Sequence, residues 1–588
     1  MKRGYILLAF SIFVIAGCRT LSPSEDPEGP SRRSIRTDEL SDLVASEPAR
    51  ALERISGLRG DDVFASEELD RFEQGAIEGL EEEFRQAWAE RRFPDALSLF
   101  LSLEGIERVE ETGLSLSEVY FAYAELKREQ AELVSALNLF LRAPDLSELS
   151  PSALESYGDL ALSLSHRFAL ERIVATLGSA APARFQSFLD EPIRTEPLVE
   201  GTVTVWVDRG IRIEGGVGVP DRVIGSGFFV DPRGYIMTNY HVISSEVDPE
   251  YEGYSRLYVR LHDNPDQRIP ARVIGYDRVF DVALLKVEVD APYVFSLTDI
   301  RQLSPGAPIL AIGSPGGLES TITSGIISAT GRRFLQMGDT LQVDVPINPG
   351  NSGGPLIDED RQLVGVIFAG IEQFEGVNFA IPSYWIQKFL PELFVERAIR
   401  HPWMGLSVIE RRDGLRVTYI VPDSPAARAG LREGDRLVRI AGQEPTSIGE
   451  AQDVILNRPL DTLLEVRYRR DGEEHGARLS LSERPFSPIE TALDRDVQEE
   501  VYTPLFGMEL EPEEGFLRIN QFRVGEVYPG TVADETGISE GDPVSVRSFR
   551  ILEEERVALL QIVVRKRQAG FLESAVQLGA FLEIDTFL

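Results

Sequence analysis

Between Thr202 and Pro391 the chain is written in short runs of β-branched and aromatic residues with turn residues between them, and helical periodicity is missing from the interval. Thr202-Val203-Thr204-Val205-Trp206-Val207 alternates, as a half-buried strand does when successive side chains face opposite sides of a sheet. Phe228-Phe229-Val230 runs into Asp231-Pro232-Arg233-Gly234, where Pro and Gly suit a tight turn, and Tyr235-Ile236-Met237 resumes as the partner strand. Repeated short strands without intervening helices predict an all-β barrel or sandwich over 195–395.

Residues 38–190 carry a different period. Apolar residues return at three- and four-residue spacings, as in Phe84, Ala87, Trp88 and then Ala96, Leu97, Phe100, the pattern of helices that bury one face. Ala96-Leu97-Ser98-Leu99-Phe100-Leu101 returns as Ala136-Leu137-Asn138-Leu139-Phe140-Leu141, and Tyr120-Phe121-Ala122-Tyr123-Ala124 is echoed at Tyr157 to Ala161. A period of about 40 residues suits stacked helical hairpins and resembles degenerate tetratricopeptide (TPR-like) repeats, while a plain helical bundle fits the same residues equally well. Two β-rich modules close the chain. Over 401–484 stand Trp403-Met404-Gly405-Leu406, Ser424-Pro425-Ala426 and Gly434-Asp435, and over 500–588 stand Leu505-Phe506-Gly507-Met508, Gly530-Thr531-Val532-Ala533 and Gly541-Asp542. Glycine and aspartate at matching positions point to duplication of one fold.

At 588 residues the chain is too long for one core, and about three to five units are expected. The formal net charge of −36 argues against nucleic acid as a partner, since neutralising phosphates needs clustered Lys and Arg. Lys2 and Arg3 precede an apolar stretch, Tyr5 to Ala16, too short to span a bilayer as a stable helix. It ends in Ile15-Ala16-Gly17-Cys18, which resembles a bacterial lipobox, so 1–18 reads as a lipoprotein signal peptide with Cys18 the lipidated residue. Cys18 is the single cysteine of the chain, so the exported protein carries no disulfide. Residues 19–37, rich in Ser, Pro, Arg and acids, read as a tether to the membrane. Arg19 lacks the acidic character that favours inner-membrane retention in the lipoproteins it resembles, which points to the outer membrane and its periplasmic face.

Three segments carry chemistry. Thr238-Asn239-Tyr240-His241-Val242 sets a histidine after a strand, Asp281-Val282-Ala283-Leu284-Leu285-Lys286 sets an aspartate at the head of one, and Gly350-Asn351-Ser352-Gly353-Gly354-Pro355 sets a serine in a glycine-rich loop. The order His, Asp, Ser is that of the chymotrypsin-type triad. A serine hydroxyl is a weak nucleophile until a base takes its proton, histidine titrates in the right range to do so, and a buried aspartate orients the ring. Ser352 is therefore the expected nucleophile, His241 the base and Asp281 the orienting acid. Backbone N–H groups within Gly350, Asn351 and Ser352, those of Gly350 and Ser352 above all, are expected to form the oxyanion hole. His166, His262, His401 and His475 lie outside any such motif, and neither a metal nor another cofactor is implied.

Taken together, residues from about 200 to 484 resemble the HtrA/Deg (DegP-like) family of trypsin-like serine proteases with PDZ domains. Besides the three segments above, the resemblance is carried by Gly225-Ser226-Gly227-Phe228, Ile312-Gly313-Ser314-Pro315, Thr323 to Ser328 and Gly376 to Pro382. It implies a chymotrypsin-like double barrel with the site between barrels, endopeptidase action on unfolded or misfolded exported proteins without ATP, and a homo-trimer or larger assembly. By the same resemblance, the strand carrying Ile367, Phe368 and Ala369 lines the substrate pocket, and its lack of charge favours an aliphatic residue before the scissile bond. Tyr240 stands where the family commonly has a small or amide residue. In the first PDZ module, N–H groups near Met404, Gly405 and Leu406 suit a peptide carboxylate, and a helix near Ile448 to Leu456 presents Val454 to the groove, so peptide C-termini are expected partners. Val532 and Asp534 depart from the small residues of tight PDZ modules and leave binding by the second module open. A catalytically silent chaperone, or a scaffold in which the helical region and PDZ modules do the work, are the rival readings.

Overall fold

The computed structural model describes residues 32–588 apart from 60–63, 193, 298–302, 315–320, 347, 349, 371–375, 396–397, 514–519, 554 and 568–570. The signal segment with Cys18 and most of the expected tether lie outside the described residues. The end of that tether is helical. Arg32 opens α1 (Arg32–Ser46), because Leu40 finds a buried place against Leu58, Phe64 and Leu69.

The helical region continues through α2 (Pro48–Leu58), α3 (Ser66–Ala89), α4 (Phe93–Gly105), α5 (Leu116–Glu129), α6 (Leu133–Arg142), α7 (Pro151–Ser163), α8 (Arg167–Leu177), α9 (Ala183–Asp190) and α10 (Thr195–Glu200). Three helix pairs reverse by one device. Arg91, Ala131 and Ser165, just beyond α3, α5 and α7, take left-handed φ values of 58°, 60° and 54°. The next N–H in each case, from Arg92, Glu132 and His166, returns to a carbonyl of the helix just ended at 2.8, 2.9 and 2.8 Å. The sequence echoes fall on equivalent helices, one on α4 and α6 and the other on α5 and α7. Helix runs on through α10, at the start of the interval expected to be all β, because α9 buries Phe185 against Gly158 and α10 buries Leu198.

Strands begin at Thr202. In the first sheet are β1 (Thr202–Glu214), β2 (Val217–Asp231), β3 (Tyr235–Thr238), β4 (Arg256–Leu261), β5 (Asn264–Pro270), β6 (Arg272–Asp277) and β7 (Val282–Lys286), in the order β5-β4-β1-β2-β3-β7-β6. Next come β8 (Pro308–Gly313), β9 (Thr321–Arg332), β10 (Thr340–Val343), β11 (Pro355–Ile357), β12 (Leu363–Gly370) and β13 (Asn378–Pro382), which close as a barrel in the order β10-β13-β12-β11-β8-β9. The short helix α11 (Tyr240–Ile243) follows β3, and α12 (Ser383–Leu393) follows β13.

In the first C-terminal module β14 (Pro402–Trp403) pairs with β20 (Ser482–Glu483), beside a sheet of β15 (Leu406–Arg411), β16 (Gly414–Ile420), β17 (Arg436–Ile440), β18 (Leu463–Arg470) and β19 (Glu473–Ser480). It carries α13 (Pro425–Arg428) and α14 (Ile448–Leu456). The second module opens on α15 (Pro488–Arg495) and α16 (Tyr502–Phe506). Its sheet is β21 (Met508–Pro512), β22 (Gln521–Val527), β23 (Pro543–Leu552), β24 (Val557–Arg567) and β25 (Phe571–Phe581), with α17 (Val532–Glu535) after β22. It starts before the expected residue 500, since Ile489 and Ala492 of α15 are buried in its core with Val544 and Ile562. Where α14 lies in the first module, the second has only the short turn from β23 to β24, so a groove helix is missing there among the described residues.

The helical region is docked on the first module. Glu53 of α2, 1% exposed, bonds Arg428 and accepts from the Ser480 N–H at 2.9 Å. Ser56 accepts from the Arg478 N–H at 3.0 Å, and Ser102 of α4 from the Leu463 N–H at 2.8 Å. Gly57 has the room this needs, for a Cβ there would lie 2.1 Å from the Arg428 carbonyl oxygen.

Candidate active site

Strand pairing brings the histidine and the aspartate together. β3 pairs with β7 so that Thr238 faces Ala283, which sets the residues leaving β3 beside the residue entering β7. Asp281 adopts a left-handed φ of 52°, a conformation its short polar side chain tolerates better than a branched one. Its carboxylate then grips His241 at two points. Oδ2 lies 2.7 Å from Nδ1 of the ring, and Oδ1 accepts from the His241 backbone N–H at 2.8 Å. The Asp281 carbonyl is held in turn by Asn239 Nδ2 at 2.8 Å and the Tyr240 N–H at 3.2 Å. Partial desolvation works to lower the His241 pKa, though its side chain is 46% exposed, and the charge and hydrogen bond of Asp281 outweigh it, so the pKa stands above the ordinary 6.5. Tyr240, the departure from the family pattern, packs its ring on Tyr276 at 5.4 Å and does not displace the histidine.

Ser352 arrives from the barrel, on the loop that feeds β11. Gly350 (φ 109°) and Gly353 (φ 86°) let this loop turn, and a Cβ on Gly353 would lie 2.2 Å from the Ser226 carbonyl oxygen. The Gly353 N–H donates to the Ile367 carbonyl at 2.8 Å, and the Ile367 N–H donates to Gly354 at 3.0 Å. Ser226 joins the loop to the first sheet. Its hydroxyl donates to the Gly350 carbonyl at 2.6 Å and accepts from the Ser314 N–H at 2.9 Å, and its own N–H donates to the Ser352 carbonyl at 2.7 Å. Sequence reading left Ser226 without a role. The signal available was a polar residue between two glycines at the head of an apolar strand.

Among the described residues the Ser352 hydroxyl has the Phe368 carbonyl as its partner, at a long 3.5 Å, and not the His241 ring. The N–H groups of Gly350 and Ser352 have no partner among the described residues and remain available to a ligand. Asn351 leaves the expected oxyanion group, because its N–H is already given to the Asn348 carbonyl at 3.0 Å. The pocket strand is also revised. Ile367 is fully buried in the barrel core with Ile309, Val343 and Leu356, so its side chain fills the barrel and does not line a pocket. Of Ala369 only the backbone, paired with Phe379, is described. Phe368 is the member that meets Ser352, and its ring lies 5.9 Å from Phe334. Phe334, missed in the sequence, is 44% exposed and stacks on Phe379 at 4.2 Å, which sets an apolar aromatic surface around the Phe368 ring. A cavity of about 730 Å³ lies elsewhere, lined by Arg167, Phe188, Tyr293 and Phe295, and contains none of these residues.

Two further groups of residues come together over long sequence distances. His401, expected to have no role, bonds buried Asp277 at 2.9 Å, and the Arg484 N–H donates to the His401 carbonyl at 2.8 Å. Burial pulls the Arg484 guanidinium down to about 10 against the opposing charge of Asp277, so a buried polar cluster joins the first sheet to the first C-terminal module. In the first module Met404, Gly405, Leu406 and Val454 surround one groove, and the side chain of Leu588 lies buried among them.

A family model for a trypsin-like peptidase domain matches residues 225–366, and one for a PDZ domain matches 416–470. A further PDZ model, of the TP0546 family, matches 489–582, and a domain of unknown function, DUF8517, matches 31–121. A probable periplasmic serine endoprotease, DegP-like, from Marinomonas sp. (strain MWYL1) is 32% identical over 340 residues, covering 55% of this chain and 70% of the relative. One of the same description from Hahella chejuensis is 31% identical over 376 residues, covering 59% and 76%. Among solved structures, a serine endoprotease from Yersinia pestis aligns with 50% of this chain and 100% of its own at 30% identity, with a TM-score of 0.39.

Proposed function

The chain belongs to the DegP-like family of periplasmic serine endoproteases, and we propose that Ser352, His241 and Asp281 are the triad with which it cleaves unfolded or misfolded exported proteins without ATP. It is a serine endopeptidase with PDZ domains. The observation that carries the assignment of residues is the two-point grip of Asp281 on His241, with Ser352 on a glycine-bounded loop tied to the same sheet by Ser226. With Asp281 on Nδ1, the His241 ring presents Nε2 to the nucleophile. For catalysis the Ser352 hydroxyl leaves the Phe368 carbonyl and donates to that nitrogen. Ser352 Oγ then attacks the peptide carbonyl carbon while its proton passes to His241. The N–H groups of Gly350 and Ser352, without a partner among the described residues, hold the oxyanion. The imidazolium returns the proton to the leaving amine, and water clears the acyl-enzyme by the same steps.

The aromatic surface of Phe334, Phe368 and Phe379 supports an apolar residue before the scissile bond. The first sheet and the closed barrel together serve as the double-barrel catalytic unit, and the repeated hairpins of α3 to α8 act as a TPR-like surface. The protein is an exported lipoprotein anchored through Cys18, on the periplasmic face of the outer membrane, and works as a homo-trimer or larger. Hydrolysis of casein by the purified mature chain, abolished in Ser352→Ala, is the test. Absence of hydrolysis under all conditions, PDZ peptides included, would leave the chaperone or scaffold reading in its place.

A further inference from the structure

Residues Asp585–Leu588 end in the groove of the first PDZ module. The Leu588 carbonyl oxygen accepts from the N–H groups of Met404 at 3.0 Å and Gly405 at 2.9 Å. The Leu588 N–H donates to the Leu406 carbonyl at 2.9 Å, and the Val408 N–H donates to the Thr586 carbonyl at 3.0 Å. The tail thus adds to β15 as an antiparallel strand, with Phe587 opposite Ser407. Leu588, the last residue of the sequence, is fully buried among Met404, Leu406, Val454 and Ile455. The Ser407 hydroxyl reaches Thr586 Oγ1 at 2.9 Å, and Gln452 Nε2 donates to the Asp585 carbonyl at 2.8 Å. Phe587 points the other way, into the core of the second module beside Tyr419. The backbone pairing and the buried Leu588 side chain match the way a PDZ groove takes an extended peptide, and the peptide is the chain's own.

The same tail reaches the catalytic domain. The Asp585 carboxylate pairs with Arg333 at 3.0 Å, and Gln452 accepts from the Gly338 N–H at 3.0 Å. Arg333 and Gly338 lie on the loop from β9 to β10 that also carries Phe334 against Phe368 and Phe379.

We propose that the first PDZ groove is closed by the chain's own Thr586-Phe587-Leu588, and that a partner protein ending in a comparable apolar residue with a free carboxylate must displace this segment to bind. The proposal rests on the reading of this module as a peptide-binding PDZ domain. It also gives a role to the second module, which has no groove helix among the described residues but holds Phe587 and so delivers the tail. A ligand tethered this way acts at an effective concentration on the order of 1 mM, so against a free-peptide Kd on the order of 10 μM the tail weakens apparent binding of a competitor by about 100-fold.

The experiment uses the full mature chain carrying Ser352→Ala, to prevent cleavage, and a fluorescein-labelled free-acid peptide copying Glu583 to Leu588. Anisotropy titrations compare this chain with two derivatives, one carrying Leu588→Asp and one with Gly-Ser-Gly appended after Leu588. Both derivatives are expected to bind the peptide about 100-fold more tightly than the unaltered tail allows, with unchanged near-ultraviolet circular dichroism, and the peptide amide is expected to bind none of them. Equal binding by all three chains overturns the self-capture and leaves the PDZ reading standing. Binding by none of them, with the fold intact, overturns both.

Discussion

Replacing Ser226 by alanine removes one oxygen and strands two backbone groups. The Gly350 carbonyl loses its donor at 2.6 Å and the Ser314 N–H loses its acceptor at 2.9 Å. Ser226 is fully buried, so bulk water does not step in. Each orphaned group costs about 1–3 kcal/mol, which makes opening of the loop easier by about 2–6 kcal/mol. Since 1.4 kcal/mol is a factor of about ten, even the low end means roughly 30-fold faster amide exchange where the loop must open. Gly353 is the place to read it, because its N–H is bonded to Ile367 at 2.8 Å. A loop displaced by about 1 Å costs on the order of 10²-fold in turnover. Hydrogen exchange by mass spectrometry over 350–357 and kcat/KM on a peptide substrate measure the two effects. Thr238→Val, which removes a single bond to the Ser226 carbonyl at 2.7 Å, serves as a milder reference and is expected to cost about 1 kcal/mol. If Ser226→Ala leaves both exchange and turnover unchanged, the bonds between Gly353, Gly354 and Ile367 hold the loop alone and the reasoning is wrong.

In Asp281→Asn the rate is expected to fall on the order of 10⁴-fold, as the wrong ring tautomer is favoured. Because Asp281 holds the His241 pKa above 6.5, the acid limb of kcat/KM lies above that value and should move down in this variant; a limb that stays in place refutes the cause assigned. The raised pKa also makes the pair's contribution to stability complete below the unfolded histidine pKa and lost as pH rises through the folded one, a trend that denaturation midpoints of the two proteins across pH will reveal. Glu53→Ala leaves the Ser480 N–H without its acceptor and Arg428 with only the Asp423 carbonyl; with Arg428 still 30% exposed, a loss of about 2–3 kcal/mol is expected. Urea denaturation followed by fluorescence checks it, and an unchanged midpoint means that the helical region is held by other contacts. Palmitate labelling of cells should disappear in Cys18→Ala, and persistent labelling counts against the anchor.

The parts of this molecule legible in the sequence are those whose chemistry is local. His241, Asp281 and Ser352 each sit in a short segment whose neighbours dictate backbone shape, as Gly350 and Gly353 do by requiring positive φ. The two sequence echoes were visible because they fall on helices that bury the same residues of each segment. Ser226 was not legible as a clamp, since a serine between glycines reads as a turn until the loop it holds, far along the chain, is laid beside it. Ile367 and Phe368 are adjacent in sequence, and only the closure of the barrel decides that one fills the core and the other meets Ser352. His401 with Asp277, and Leu588 with Met404, depend on how whole domains dock. Apolar residues at the tail carry no motif that distinguishes a ligand from an end.

The helices docked on the first PDZ module also bear on how that module resists association. Its sheet has two outer strands, β15 and β19. On β19 the N–H groups of Arg478 and Ser480 are taken by Ser56 and Glu53, and on β15 the open groups are taken by Thr586 and Leu588. The last residues of β19 and the first of β15 are thereby withheld from a strand of another molecule. A fragment trimmed to 401–484 would bare both rims and the apolar slot that Leu588 fills, and is expected to self-associate. A well-behaved fragment has to carry its own covers, the α2–α4 segment on one side and the tail on the other.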